Sequence, residues 1–346
     1  KKINIPVQTN VGGNGVIATL KGKLPGKTIA FRADFDGLPI QDEKDVPYKS
    51  KVPGVMHACG HDAHTATLLI FAKVMQQFQD QIPGTIVFLH QHAEEQTPGG
   101  AISIVESGAL DHVDAVFGTH LWSTLPLGTV SLRHDELMAG ADRFLIKIFG
   151  KGGHGAYPED TKDALLIGAE IVTKLQTVVS RKISPVDTGV LTIGRFSSGT
   201  GFNIIANEAD LEGTIRYFDY EVKQKMKDEL KRIVNGICLA NDVTYEIDYT
   251  DGYPPVVNHE REAKIIFDVT KDVPGVHLVE EGPLQMGAED FAYYLLKKPG
   301  AFFFTGAGKL DVENPPHHHP LFDIDERSML IAAKTFTRVF FAYQEK

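Results

Sequence analysis

Two short stretches of the sequence concentrate side chains that can bind metal ions. In the run of residues 57–64, one glycine separates Cys59 from His61, and further along the chain Glu94 and Glu95 are adjacent. Thiolate, imidazole and carboxylate groups are the donors of hydrolytic metal centres, where a nearby free carboxylate can move the proton of a bound water. Alone, a cysteine is more often a buried apolar residue and a histidine a capping or core group. The combination with an acidic pair favours a metal site.

The adjacent glutamates are expected to have different tasks. Neighbouring residues on an extended backbone point to opposite sides, so one carboxylate can coordinate an ion while the other faces the substrate. A free glutamate beside a metal-bound water is suited to act as general base. The alternative, a solvated acidic loop, is less convincing after the apolar run at residues 86–89.

Further donors come from distant parts of the chain. His120 ends a strand-like stretch and is either a ligand or a core histidine. The run His317-His318-His319 precedes a proline in a loop before the last helix, where it is either a solvated turn or the source of a late ligand. With the three donors above, this gives five protein ligands, which is more than one tetrahedral zinc ion uses and predicts two ions. We expect the other two histidines of the 57–64 run to be structural.

The candidate donors lie at strand ends in the first 125 residues. Strand-like runs at residues 29–34, 85–90 and 115–120 alternate with helix-like segments at residues 65–78 and 101–107. This alternation predicts an α/β fold with a mostly parallel sheet flanked by helices. Ligands of such sheets bind beyond the carboxyl ends of the strands, which is where the donors fall.

A second domain interrupts this pattern. From residue 138 the predicted elements follow the order β-α-β-β-α-β, the split ferredoxin-like order, and the α/β pattern resumes near residue 301. We therefore predict a discontinuous catalytic metal-binding domain, residues 1–137 and 252–346, and an inserted α+β domain, residues 138–251.

Charge and composition exclude some partners. The 346 residues carry a net charge of −10, which opposes binding to the phosphates of nucleic acid. Apolar runs fall short of the ~18–20 residues needed to span a bilayer, so no membrane partner is expected. Cys59 and Cys238 are far apart and form no disulfide pattern, which favours a reducing cytoplasm.

Several segments carry a family resemblance along most of the chain. They are RADFDGLPI (residues 32–40), HACGHDAH (57–64), AEE with PGGA (93–101), GTH (118–120), GKGGHGAYP (150–158), a stretch ending in EGTIR (203–216), MGAEDF (286–291) and HHPLFDIDE (318–326). Together they resemble the aminoacylase and glutamate-carboxypeptidase type of metal-dependent amidohydrolases, closest to the hippurate hydrolase and indoleacetyl-amino-acid hydrolase branch.

The resemblance implies a dimetal catalytic domain with a lid and dimerisation insert. The implied ligands are Cys59, His61, Glu95, His120 and His318. His318 is preferred over His319 because the family places its ligand two residues before the proline, and Glu94 is the implied general base.

The resemblance also implies that three residues of the insert polarise the scissile carbonyl and hold a substrate carboxylate. These are His154, Asn203 and Arg216. A bidentate arginine suits a carboxylate. As alternatives, His154 can cap a turn and Arg216 can pair with a surface acid.

The expected reaction is hydrolysis of the amide bond of an N-acyl amino acid, with a metal-activated water and Glu94 as base. A dipeptidase or carboxypeptidase of the same family is one alternative, and a catalytically silent metal-binding protein is another. The donors suit Zn²⁺ or Mn²⁺, with Co²⁺ or Ni²⁺ also compatible. The family's usual first helical segment is missing from this sequence, and His92 occupies a position that is more often proline.

Overall fold

The computed structural model describes residues 4–345, which form two compact units. The first unit comprises the chain up to Leu137, Val256–Gln285 and the chain from Glu289 onward. The second comprises Met138–Pro255 together with Met286–Ala288. It extends a few residues beyond the limit of 251 that we expected for the insert.

The strands, in chain order, are β1 (Val7–Val11), β2 (Gly15–Lys21), β3 (Leu24–Asp34), β4 (Pro83–Gln91), β5 (Ala115–Pro126), β6 (Thr129–Leu132), β7 (Asp135–Met138), β8 (Gly140–Phe149), β9 (Gly153–His154), β10 (Gly189–Ser198), β11 (Ile204–Ile205), β12 (Glu208–Tyr217), β13 (Thr244–Tyr253), β14 (Val256–Asn258), β15 (Leu278–Glu281) and β16 (Gly300–Gly308). The α-helices are α1 (His61–Gln77), α2 (Gly100–Glu106), α3 (Ala164–Lys182), α4 (Tyr220–Ala240), α5 (Glu260–Thr270), α6 (Ala292–Lys297) and α7 (Arg327–Glu345). They are too short or too polar, within residues 4–345, to cross a membrane.

The main sheet of the first unit has the strand order β1-β2-β4-β3-β5-β16-β6-β15. Strand β3 is parallel to β4 and β5, and parallel pairs also join β5 to β16 and β6 to β15. The pairs β1–β2, β2–β4 and β6–β16 are antiparallel. The predicted α/β class with a mostly parallel sheet and flanking helices is confirmed.

The continuous apolar run of β3 is explained by cover on both faces of the sheet, because the successive residues 29–34 are all buried. On one face, the fully buried ring of Phe31 lies 5.0 Å from Phe71 of α1 and 4.9 Å from Phe336 of α7. Burial of each such side chain stabilises the fold by ~1.5–3 kcal/mol. This core holds the strand ends rigidly, which is what a site built on them requires.

The second unit is a four-stranded antiparallel sheet of order β10-β12-β8-β13, packed against α3 and α4. Both helices begin at an aspartate N-cap: Asp163 accepts from the backbone N–H groups of residues 165 and 166, and Asp219 from those of residues 221 and 222. Two short strands, β9 and β11, pair with each other to form a separate antiparallel ribbon. The β-α-β-β-α-β order of the ferredoxin-like arrangement is present.

Candidate metal centre

The ends of three strands assemble the site in the first unit. Asp34 at the end of β3 pairs in register with Gln91 at the end of β4, so the residues that follow both strands leave the sheet at the same edge. Strand β5 pairs with β3 as far as Gly118, and His120 lies just beyond that pair. Our expectation that β5 ends at His120 is wrong, because the strand continues to Pro126 alongside β16.

The Cys59 loop enters helix α1 through a turn that requires glycine. Gly60 has φ +86°, in the left-handed region where a side chain would be strained, and the helix begins at the next residue. Cys59 therefore stands just before the helix and His61 in its first turn. The two donors are held close together by this turn.

Cys59 belongs to two groups of potential ligands. Its Sγ lies 3.4 Å from Nε2 of His120 and 3.6 Å from Nδ1 of His317. It also belongs to a cluster with His61 and Glu95, in which every pair of donor atoms is within 4.8 Å. A thiolate common to two clusters is an arrangement in which two cations could share one sulfur.

Two of the histidines bind the protein through Nδ1, so Nε2 is the ring nitrogen that lies toward the other donors. His61 Nδ1 lies 3.1 Å from a carboxylate oxygen of Asp36, and His120 Nδ1 lies 3.0 Å from the carbonyl oxygen of Leu121. In each ring Nδ1 must therefore carry the proton, and the lone pair is on Nε2. A carboxylate or carbonyl behind a histidine is the usual outer support of a metal ligand.

These donors fit a divalent cation. Nε2 of His61 is buried and has no hydrogen-bond partner within residues 4–345, although most buried polar atoms have one. Burial, with a further contribution from Glu95, raises the pKa of the Cys59 thiol well above its usual value. Burial lowers the pKa of His61, but Asp34 and Asp36 outweigh it and raise this pKa to about 9. A cation supplies the positive charge that this acidic, buried cluster favours.

His64, which we expected to be structural, has protein partners at both ring nitrogens. Its Nδ1 lies 2.6 Å from Asp34, and its Nε2 accepts a hydrogen bond from the backbone N–H of Leu121 at 2.9 Å. Both ring nitrogens are thus occupied, although His64 forms a potential ligand group with Asp34 and His61. His57 is exposed and contacts the carbonyl oxygen of Phe35.

The two glutamates do have different surroundings, but the reason differs from our expectation. Residues 94 and 95 lie in a turn and not on an extended backbone, and Ala93 before them has φ +53°. Glu95 reaches the donor cluster, where its Oε1 lies 3.0 Å from Nε2 of His318 and 4.0 Å from Nε2 of His61. The hydrogen bond that His318 donates to Glu95 raises the pKa of His318.

Glu94 instead belongs to a second acidic cluster. It is buried, and its carboxylate lies within 4.8 Å of those of Glu289 and Asp290. Burial raises the pKa of Glu94 well above its usual value, and the charges of Glu289 and Asp290 raise it further. A carboxylate held ready to take up a proton is a property of a general base.

A buried network around Arg32 supports this cluster and was not predicted from the sequence. The Arg32 guanidinium contacts Asp34 at 2.6 Å, Glu289 at 2.9 Å and Asp290 at 2.7 Å, and it donates to Gln91 at 2.8 Å. The available signal was an arginine inside the apolar run of β3, since a buried charge requires partners. The adjacent acids of the MGAEDF segment supply them.

The three consecutive histidines occupy different environments. His317 is the one that contacts Cys59, with burial lowering its pKa to about 3, while His318 is half exposed and contacts Glu95. Nδ1 of His319 accepts a hydrogen bond from the backbone N–H of Leu321, which closes a turn. Of the three, the ligand expected from the resemblance, His318, thus lies beside Glu95 and outside the cluster of Cys59, His120 and His317.

Two of the expected substrate-binding residues lie together on the ribbon of the second unit. His154 of β9 pairs with Ile204 of β11, and the backbone N–H of Gly155 donates to the carbonyl oxygen of Asn203 at 2.8 Å. Nδ1 of His154 accepts from the backbone N–H of Ala156, so the proton is on Nε2, which is a potential donor. Arg216 lies on β12 within the sheet, and burial lowers its pKa.

Comparison with known proteins identifies the family. The family model described as peptidase family M20/M25/M40 matches residues 30–342. The chain belongs to this family. The match spans both units, so the M20-type assignment covers the metal-donor loops as well as the inserted unit.

Similar proteins agree with this assignment. The chain is 53% identical over 346 residues, covering all of this chain and 87% of the relative, to a Bacillus subtilis (strain 168) protein provisionally named as the amidohydrolase YhaA. It is 49% identical over 245 residues, 71% of this chain and 66% of the relative, to the N-acyl-L-amino acid amidohydrolase of Geobacillus stearothermophilus. The crystal structure of the Bacillus subtilis YXEP protein, described as a dinuclear metal-binding peptidase from the M20 family, matches with a TM-score of 0.84 at 33% identity, over 99% of this chain and 88% of that chain.

Proposed function

We propose that this M20-type protein is a dimetal amidohydrolase that cleaves the amide bond of N-acyl amino acids. The observation that carries the proposal is the separate placement of the glutamate pair. Glu95 lies among the nitrogen and sulfur donors, whereas Glu94 is buried beside Glu289 and Asp290. A ligand carboxylate next to a second, buried carboxylate that can take up a proton is the minimum that metal-assisted hydrolysis needs.

Five residues are proposed to hold the two ions. They are Cys59, His61, Glu95, His120 and His318. When bound, the ions supply Lewis-acid chemistry that acidifies water and polarises a carbonyl oxygen. The thiolate favours Zn²⁺, and Mn²⁺ is the main alternative, followed by Co²⁺ and Ni²⁺.

Glu94 is proposed to move the proton of the reaction. Its carboxylate accepts a proton from the attacking water and then donates it to the nitrogen of the leaving amine. The raised pKa of Glu94 supports the second step, because a carboxyl group of ordinary pKa is a weak proton donor near neutral pH. In the inserted unit, the Nε2–H of His154 is the proposed donor to the scissile carbonyl, with Asn203 and Arg216 as partners of a substrate carboxylate.

The inserted unit is also the proposed lid and the surface through which a homodimer forms. Strands β10 and β13 are the edges of its sheet, and an edge strand can pair with another copy. A donor thiol suits a reducing compartment, and we propose the cytoplasm. A small amide carrying a carboxylate is the proposed substrate, and neither nucleic acid nor a membrane is a proposed partner.

The test is activity of the metal-loaded protein on a matched panel. Protein stripped with a chelator is reloaded separately with Zn²⁺, Mn²⁺, Co²⁺ or Ni²⁺ and given N-acetyl, N-benzoyl and indoleacetyl amino acids beside unblocked dipeptides. We expect the highest kcat/KM on an N-acyl amino acid and loss of turnover on the corresponding N-acyl amino amide, which lacks the carboxylate. Preference for dipeptides would instead assign a dipeptidase, and inactivity on the whole panel with two ions bound would support a silent metal-binding protein.

A further inference from the structure

His317 is a partly buried histidine next to the metal donors, and neither the proposed chemistry nor the resemblance gives it a role. Its ring packs against the rings of Trp122 at 4.7 Å, His120 at 4.9 Å and Phe322 at 5.1 Å. Contacts on several sides hold the ring in one orientation. What its two nitrogens can do is therefore determined by their partners.

One hydrogen bond fixes the tautomer of His317. The backbone N–H of Ser123 donates to Nε2 of His317 at 3.2 Å, and a backbone amide nitrogen can only act as donor. Nε2 must therefore carry the lone pair, and the ring proton must be on Nδ1. That nitrogen lies 3.6 Å from Sγ of Cys59, so the N–H group is directed at the sulfur.

His317 thus has the opposite tautomer arrangement to the proposed ligands near it. His61 and His120 use Nδ1–H to contact Asp36 and the carbonyl oxygen of Leu121, which leaves an Nε2 lone pair for an ion. His317 instead accepts a hydrogen bond from the protein backbone with its lone pair and directs its N–H at the Cys59 sulfur. With this hydrogen bond in place, Nε2 cannot bind an ion, and Nδ1 has no lone pair to offer.

We propose that His317 is a positioning residue that donates an Nδ1–H hydrogen bond to the thiolate of Cys59, one of the proposed metal ligands. The inference rests on the proposed dimetal function. An N–H···S hydrogen bond orients the sulfur and stabilises its lone pairs, as hydrogen bonds around ligating cysteine sulfurs do in other metal sites.

The three consecutive histidines then have three separate tasks. His317 donates to the thiolate, His318 beside Glu95 is the proposed ligand, and His319 closes the turn by accepting from the backbone N–H of Leu321. This division distinguishes residues that are chemically identical and adjacent in sequence. It also predicts three different results when each is replaced.

The test uses the Co²⁺-loaded protein, because a cobalt-bound thiolate has a charge-transfer absorption band that reports on the sulfur directly. We compare the wild type with H317L, which removes the donor and keeps most of the volume, and with H317Q, whose side-chain amide can still donate. Replacing His319 by the same residue, H319L, is the matched control. Metal per chain is measured for each variant and for H318A.

We expect H317L to keep two ions per chain and to shift the thiolate band to longer wavelength, since sulfur lone pairs that have lost a hydrogen bond give up an electron more easily. H317Q should restore the band at least partly, H319L should leave it unchanged, and H318A should lose about one ion per chain.

Fewer than two ions in both His317 variants would overturn the inference by making His317 a ligand, and an unshifted band in H317L would overturn it by removing the hydrogen bond. The absence of a thiolate band in the wild type would instead overturn the role of Cys59 as a metal ligand, and with it the proposed dimetal function.

Discussion

Both units bury a network of charged side chains, and the two networks differ in their balance of charge. In the first unit, the Arg32 guanidinium is surrounded by Asp34, Glu289 and Asp290, and Glu94 lies within the same acidic cluster. The carboxyl groups outnumber the cation at their centre. Burial raises the pKa of Glu289 to about 8 against the effect of Arg32, with a further contribution from Asp290.

In the second unit, buried Asp142 has a full set of partners. Its carboxylate accepts hydrogen bonds from the hydroxyl of Tyr249 at 2.7 Å and the backbone N–H of Gly252 at 2.9 Å, and it pairs with Lys223 at 3.1 Å. Lys223 also pairs with Asp251 at 2.8 Å. Here the buried acid is matched by donors and a cation.

We interpret the difference as one between a network proposed to serve catalysis and one that stabilises the fold. Crowded carboxyl groups cost folding free energy, and perturbed pKa values of this kind cluster at functional sites. A buried acid that is fully paired gives no such signal and holds β8, β13 and α4 together. Substitutions should therefore affect the two networks differently.

The largest effect is expected where the acidic network meets the reaction. E94Q keeps the shape of the side chain but cannot accept a proton, so turnover should fall ~10²–10⁴-fold. Metal per chain and the thermal midpoint should stay close to those of the wild type, as they should in E106Q, a control at an exposed position of α2. Near-normal turnover of E94Q would remove Glu94 from the mechanism.

Removal of the central cation should affect stability as well as activity. R32M leaves Asp34, Glu289 and Asp290 buried without their cation, and breaking a buried ion network in this way costs ~3–5 kcal/mol. Urea unfolding measures the loss, with R338M on the exposed side of α7 as control. If R32M is as stable as R338M, the Arg32 network contributes no net stability.

The excess of acid should also make stability depend on pH. The pKa of Glu289 is about 8 in the folded protein and ~4.3 in an unfolded chain. Between these values the folded state keeps a proton that the unfolded state has released, so the stabilisation is present below the lower pKa and is lost as pH rises through the higher one.

The substitution E289Q removes this titration. The unfolding free energy of metal-free E289Q, relative to the metal-free wild type, should therefore increase between about pH 5 and about pH 8. Urea curves of both proteins across that range measure the difference, with E313Q at an exposed position as control. A difference that does not change with pH would show that Glu289 titrates alike in both states.

The donor loops could be predicted from sequence because their signals are local. Strand-like periodicity located β3 and β4, and the ends of parallel strands meet at one edge, so Cys59, His61 and Glu95 could be grouped before any coordinates. The Arg32 network could not, because its decisive contact joins residues 257 positions apart. An arginine in an apolar strand indicates that partners exist and does not identify them.

Two details of the site also depended on structure. The separation of Glu94 from Glu95 follows from a turn after Ala93 and not from strand alternation, which is the pattern we used. The tautomer of His317 follows from the backbone N–H of Ser123, 194 positions away in sequence. Sequence spacing contains no information on which ring nitrogen carries a proton.

The smallest effect on chemistry is expected in the balanced network. In the wild type, the hydroxyl of Tyr249 and the backbone N–H of Gly252 both donate to the Asp142 carboxylate. D142N replaces one of the two acceptor oxygens by an N–H₂ group, which then faces one of these donors. An unsatisfied buried donor or acceptor costs ~1–3 kcal/mol, so D142N should unfold at lower urea than the wild type. Because Asp142 lies in the network that serves stability, kcat of the folded protein should change only a few-fold.

D251N is the matched control for D142N, since Asp251 also pairs with Lys223 but has 60% of its side chain exposed. Its loss of stability should be clearly smaller, because an exposed pair is screened by solvent. Equal losses in the two variants would mean that Lys223 alone accounts for the stability of this network. A large fall in kcat for D142N at full stability would place the second network in the chemistry too, and the contrast between the two units would then not hold.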